Sequence, residues 1–134
     1  MRKMRGYIFS RPFMGERVPQ HVQNLVIRDY CKRKRLHYLL SATEYAMPKC
    51  HLMLEQVLDE LAEIDGLVAY SLFQLPEIAA ARRRVYERVF DASPAKCLHF
   101  AVEDLQAATW QDCQRVETLW QVRLTLPRCG QIDA

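Results

Sequence analysis

Gly6-Tyr7-Ile8-Phe9-Ser10 is a short apolar run that ends on a hydroxyl, and the reading of the whole chain follows from it. Its length suits a strand. Arg11 to Pro19 comes next, with Pro12, Gly15 and Pro19 as breakers, so the strand empties into a loop. Val18, Val22, Leu25, Val26 and Tyr30 then recur at helical spacing, which predicts a helix over 19–34. Lys32-Arg33-Lys34-Arg35 closes it, where cations suit the negative end of the helix dipole. Leu36 to Leu40 reads as a second strand, leaving through Ser41-Ala42-Thr43-Glu44-Tyr45. A second helix follows Pro48 with Leu54, Val57, Leu58 and Leu61 inward, and Asp65-Gly66 stops it. Leu67 to Leu72 is apolar with little alternation, as in a strand covered on both faces. Pro76 starts a third helix, with Ile78, Val85 and Val89 inward and Arg82, Arg83, Arg84 and Arg88 outward. Pro94 breaks that helix, Cys97 to Val102 is a fourth strand ending at Glu103-Asp104, and 106–124 is a last helix carrying Trp110 and Trp120.

Strands alternating with helices through short loops imply a parallel sheet with helices on its faces, joined by right-handed crossovers. The expectation is one small three-layer α/β domain over 1–126, with a mostly parallel four-stranded sheet and a loose tail over 127–134. The length of 134 residues is that of a single domain. A net charge of +3 is too small to argue for nucleic acid, so Lys32–Arg35 and Arg82–Arg84 read as solvated helix ends and faces. Cys31, Cys50, Cys97, Cys113 and Cys129 are odd in number and include no C-x-x-C pair. With no signal peptide and no membrane-length apolar run, they read as reduced thiols of a cytoplasmic protein.

In open parallel sheets, ligands bind outside the carboxyl ends of the strands. Here the exits carry Ser10 and Arg11, then Ser41, Thr43, Glu44 and Tyr45, then Ser71 and Gln74, then Glu103 and Asp104. Arg11 and Arg17 flank the start of the first helix, an arrangement that suits a phosphate or carboxylate. Glu44, beside Tyr45, and Glu103 are the acid/base candidates. Ser10 is a candidate nucleophile, but neither His21 nor His51 has a motif partner that makes it the required base. Cys50-His51, at a helix start, is a weak signal for thiol chemistry. The four histidines lack zinc-ligand spacing, and no dinucleotide or P-loop motif is present, so neither a metal nor a cofactor is expected.

Two resemblances attach to these residues. Gly6 to Ser10, Gln23 with its helix, and Leu67 to Leu75 resemble the catalytic domain of serine recombinases of the resolvase and invertase type, over roughly the first 90 residues. That likeness implies a resolvase/flavodoxin-like fold, with Ser10 where the family keeps its nucleophile. The family's leucine-aspartate-arginine-leucine motif reads Leu72-Phe73-Gln74-Leu75 here, and its first-strand arginine is Phe9 or absent. Phosphoryl transfer relies on such guanidiniums, so the implied reading is an inactive relative.

The segments GYIFSR (6–11), VQNLVIRDYC (22–31), SATEY (41–45), LDEL (58–61), YSLFQLP (70–76) and HFAVED (99–104) are similar to the sporadic carbohydrate cluster protein family. Its members are small bacterial proteins encoded among genes for surface polysaccharides or sugar-containing natural products. The motif positions are Ser10, Arg11, Glu44, Tyr45, Tyr70, Ser71, Gln74 and Glu103. The resemblance implies a role in making an unusual sugar. On this reading Arg11 and Arg17 hold a phosphorylated or nucleotide-linked sugar, and Ser71 and Gln74 bond it. Ser10, Glu44, Tyr45 and Glu103 would run cofactor-independent isomerase, epimerase or lyase chemistry. The rival is a non-catalytic sugar-binding or scaffolding partner of a pathway enzyme. Trp110 and Trp120, ten residues apart, are candidates for a partner surface or a homo-oligomer seam.

Overall fold

The computed structural model describes residues 1–126. Cys129 and the expected tail over 127–134 lie outside the described residues. The elements are β1 (Lys3–Phe9), α1 (Gln20–Arg33), β2 (His37–Glu44), α2 (Leu52–Asp59), β3 (Gly66–Ala69), a 3-10 turn (Leu72–Gln74), α3 (Ala79–Phe90), β4 (Cys97–Phe100), β5 (Leu105–Ala107) and α4 (Trp110–Thr125). They form one sheet in the order β2-β1-β3-β4-β5. The first four strands are parallel, and β5 runs antiparallel to β4.

The three-layer α/β architecture expected from the element order is present, with one strand more than expected. Leu105–Ala107 is too short to show a period, and the last helix, expected from 106, begins at Trp110. Asp104 takes a left-handed φ of 52°, which reverses the chain there. Thr109 then starts α4: its hydroxyl accepts from the Asp112 amide, and the Asp112 carboxylate accepts from the amides of Ala108 and Thr109. β2 also runs to Glu44 and does not stop at Leu40, so Ser41, Thr43 and Glu44 are strand residues.

β2 is an edge strand, and it is blunted by a bulge. Arg5 pairs with Leu39 and Gly6 with Ser41, so Leu40 is the extra residue, turned outward and 77% exposed. The Arg5 guanidinium donates to the Leu40 carbonyl at 2.8 Å. The Ser41 side chain lies so close over Gly6 that a Cβ there would collide with it, which explains the glycine opening the first apolar run.

The two faces of the sheet are unequal. Tyr7, Phe9, Leu67, Leu98 and Phe100 pack against side chains of α2, α3 and α4. Met4, Ile8, Val68 and Cys97 pack against Ile27, Tyr30 and Cys31 of α1. Three inward and outward assignments are corrected. Leu25 and Ile78 are 60% and 68% exposed, and Arg82, expected outside, is 1% exposed. Its guanidinium makes a two-pronged pair with Glu117 at 2.7 Å, donates to the carbonyls of Pro76 and Glu77, and lies over the Trp120 ring. Trp120 is buried, while Trp110 is half-exposed against Tyr86 and Phe90, so the two do not make a common seam.

Candidate functional site

Because β1 to β4 are parallel, the residues leaving them line one rim of the sheet. Ser10, Arg11, Glu44, Ser71, Gln74 and Glu103 all lie along it. Arg17 does not join them: it is exposed and makes no ion pair or hydrogen bond among the described residues.

Glu44 is fully buried at the end of β2. One carboxylate oxygen accepts from the Tyr7 hydroxyl at 2.8 Å and the Leu54 amide at 3.1 Å. The other accepts from the amides of Tyr45 and Met53, at 3.2 and 3.0 Å, with the Cys50 thiol 3.8 Å away. Glu44 thus supplies the negative charge at the start of α2, whose own N-cap side chain makes no capping bond. Two expectations change here. The tyrosine bonded to Glu44 is Tyr7, not Tyr45, whose ring is half-exposed. The carboxylate oxygens are also occupied by donors from the protein itself. Burial, then the charge of Glu44, push the Tyr7 hydroxyl far above the usual tyrosine range, so it remains a donor.

Ser10 donates its hydroxyl to the Glu44 carbonyl at 2.5 Å. Arg11 donates to the Tyr45 carbonyl at 2.8 Å and lies over the Phe9 ring, 4.2 Å from its centre. At the other side of the rim, Glu103 accepts from the Ser71 hydroxyl at 2.8 Å and the Leu72 amide at 2.9 Å. Ser71 in turn caps the 3-10 turn by accepting from the Phe73 amide. Glu44 ends β2, whereas Glu103 lies in the turn after β4 and reaches back to the residues that follow β3, with β1 between the two clusters. The two carboxylates therefore belong to separate clusters.

Between them lies Gln23, which was noted only for its place in the first helix. Its side chain is fully buried and pairs with Phe9 as a strand would, accepting from the amide and donating to the carbonyl, both at 3.0 Å. Gln74 donates to the same Gln23 oxygen at 2.8 Å. The two glutamines bridge α1, the end of β1 and the turn after β3. A polar residue on the inward face of an otherwise apolar helix was the available signal.

Beside this network is an open cleft of about 270 Å³ between the starts of α2 and α3. Arg11, Lys49, His51 and Arg84 line it together with Glu55 and Glu77, over a floor that includes Phe73 and Leu75. Glu55 is already paired with Arg88 at 2.8 Å. Lys49 holds a left-handed φ of 61° immediately before Cys50-His51, a conformation rarely given to a lysine. His51 is half-buried, with its ring edge-on to Phe9. Burial and the neighbouring Arg11 charge lower its pKa, against opposing pulls from Glu44 and the carbonyls of Lys49 and Gln74. No hydrogen bond of good geometry reaches its buried Nε2 among the described residues. Lys49, His51 and Arg84 were not picked from the sequence as site residues. Lys49 and His51 precede α2, Arg84 lies in the second turn of α3, and no local pattern joins them.

The N-terminal catalytic domain of TP901-1 integrase is similar in fold, with a TM-score of 0.60 at 12% sequence identity, covering 90% of this chain and 94% of that one. No protein-family model matches the chain, and no curated protein matches it. Among the described residues, no helix is long and apolar enough to cross a membrane.

Proposed function

We propose that this chain binds a phosphorylated or nucleotide-linked sugar in the strand-end cleft, as an enzyme or accessory protein of bacterial carbohydrate biosynthesis. The observation that carries the reading is the cationic cleft at the carboxyl ends of parallel strands, lined by Arg11, Lys49, His51 and Arg84. Arginine forks and a lysine point charge suit a phosphate. The sugar is what the motif resemblance to the sporadic carbohydrate cluster family implies, and Arg11 of those motifs lines the cleft. Glu44 acts as a positioning residue that fixes the α2 start. His51 lines the same cleft with its Nε2 buried, so it shapes the wall beside Arg11.

A thermal-shift screen with sugar phosphates and nucleotide sugars tests this, because a ligand of the folded state raises the melting temperature by mass action. The expected result is a rise with at least one such ligand at millimolar concentration, lost in Arg84→Ala. Failure of every ligand in the panel, or a shift that survives Arg84→Ala and Lys49→Ala together, overturns it.

A second reading, an inactive serine-recombinase-like domain, is favoured by the fold likeness and by Ser10 at the end of β1. The Ser10 proton is held by a backbone carbonyl, and Arg11 is the one guanidinium that reaches this carbonyl end of β1 in the described hydrogen bonds. Salt-dependent DNA binding that blocks the thermal shift would favour this reading over the first.

A further inference from the structure

At the opposite end of the sheet is a second groove, of about 410 Å³, lined by Arg28, Lys32, Arg35, His37, Tyr38 and Leu36. Its cations are of one sign, and no carboxylate lines it. The run Lys32-Arg33-Lys34-Arg35 splits in a telling way. Arg33 pairs with Asp29 at 2.9 Å and Lys34 with Asp104 at 3.1 Å, both away from the groove. Lys32 and Arg35 enter the groove and have no ion pair or side-chain hydrogen bond among the described residues, nor does His37. Arg28 and Lys32 stand four apart on α1, where like charges repel.

These cations are not needed to close the helix. The carbonyls of Tyr30, Cys31 and Lys32 already accept from the amides of Lys34, Leu36 and Arg35. Arg35 sits just past the end of α1 at a φ of 57°, a position and conformation that helices usually give to glycine. An arginine stands where it strains the backbone, and it lines the groove. The wall includes the Tyr38 ring, over which Arg28 lies 5.9 Å from the centre, and the apolar side of Leu36.

We propose that this groove is a second ligand site, which binds a nucleoside diphosphate. Lys32 and Arg35 take the diphosphate, and the flat base lies against Leu36 and the Arg28 guanidinium that covers Tyr38. It is separate from the strand-end cleft: His37 and Glu44 stand at opposite ends of β2, roughly 23 Å apart at the usual strand rise. One nucleotide cannot fill both sites.

Calorimetric titration of ADP and of pyrophosphate into the full chain tests the assignment. ADP is expected to bind, at least tenfold tighter than pyrophosphate. Arg28→Gln and Arg35→Gly are each expected to weaken ADP at least tenfold. Arg35→Gly is also expected to raise the melting temperature of the unliganded protein, because glycine relieves the left-handed strain. Arg115→Gln, on the exposed side of α4 and in neither cleft, is expected to leave ADP binding unchanged. The proposal is overturned if ADP does not bind at millimolar concentration, or if pyrophosphate binds as tightly. It is equally overturned if Arg115→Gln abolishes binding, if Arg35→Gly retains it, or if a DNA duplex binds the groove and ADP does not displace it.

Discussion

The two faces of the sheet handle buried polarity in different ways. On the face packed against α2, α3 and α4, buried charge is answered by opposite charge or by a helix end. Glu44 takes the start of α2, and Arg82 is held by Glu117, which also accepts from Tyr86 at 2.6 Å. On the face packed against α1, the buried polar groups form a neutral chain. Tyr30 meets His99 Nδ1 at 2.6 Å, and His99 Nε2 faces the Cys97 thiol at 3.5 Å. Burial pushes the Cys31 thiol up to about 11 and, on the other face, Cys113 up to about 12, so both are inert filler. Helix ends and helix seams supply partners for charge. A single covering helix presents its side, which supplies few, so that face is built from groups that stay uncharged. One face should therefore fail when a partner is removed, and the other when a proton is added.

The largest effect should come from the charged face. Arg82→Ala removes four hydrogen bonds from around the α3–α4 seam and strips packing from Trp120. It should cost about 4 kcal/mol in urea denaturation, since breaking a buried pair leaves its partners unmet. A cost under about 1 kcal/mol would show that the seam does not depend on charge. Glu117 should make part of this stability pH-dependent. Burial alone would raise its pKa, but hydrogen bonds from Arg82 and Tyr86 and the Arg82 charge hold it below the usual range. Its contribution is present above the unfolded value of 4.5 and is lost as pH falls through the lower folded value.

The neutral face should respond to acid in a higher window. Burial, then the charges of Arg2 and Lys34, lower His99 to about 4 from 6.5. Above pH 6.5 both states are neutral and His99 adds no pH dependence. As pH falls from 6.5 to 4 the unfolded chain takes the proton first, so stability drops, by about 3 kcal/mol over the window. Urea midpoints at pH 7 and pH 4.5 measure this, and His99→Gln should flatten the difference. An equal slope in the variant would place the acid sensitivity elsewhere.

Smaller effects separate Glu44 from its neighbours. Glu44→Gln should cost about 2 kcal/mol, because an amide replaces one acceptor oxygen with a donor facing backbone N–H groups. Tyr7→Phe, which removes one of these bonds, should cost about 1 kcal/mol. Amide hydrogen exchange should show the loss concentrated at Met53 and Leu54, the first turn of α2. Uniform loss across the domain would mean that Glu44 is not a local cap.

Much of the fold was legible because its signals are local. Leu54, Val57, Leu58 and Leu61 repeat at the helical period and are all buried. The apolar run from Leu67 shows a strand covered on both faces, and 66–69 is buried throughout. The fifth strand was missed because three residues carry no period. Arg82 was misread because a charged residue inside a run of three arginines looks like its neighbours until the carboxylate that meets it is known. The rim itself could be drawn from strand exits. The pairing of Tyr7 with Glu44, and the bridge of Gln23 to Gln74, could not.

By itself, the sequence determined the alternation of the first four strands with the helices, their parallel pairing and the residues that those strands release along one edge. Apolar spacing and chain breakers act over a few residues, so they can be read one segment at a time. Only the tertiary structure decided which of those polar groups are spent on holding the protein together and which face open space. Ser10 and Glu44 bond inward, whereas Lys49, His51 and Arg84 line the cleft. Such a division depends on partners tens of residues away, and a donor's worth is set by whether its acceptor arrives, which no local pattern records.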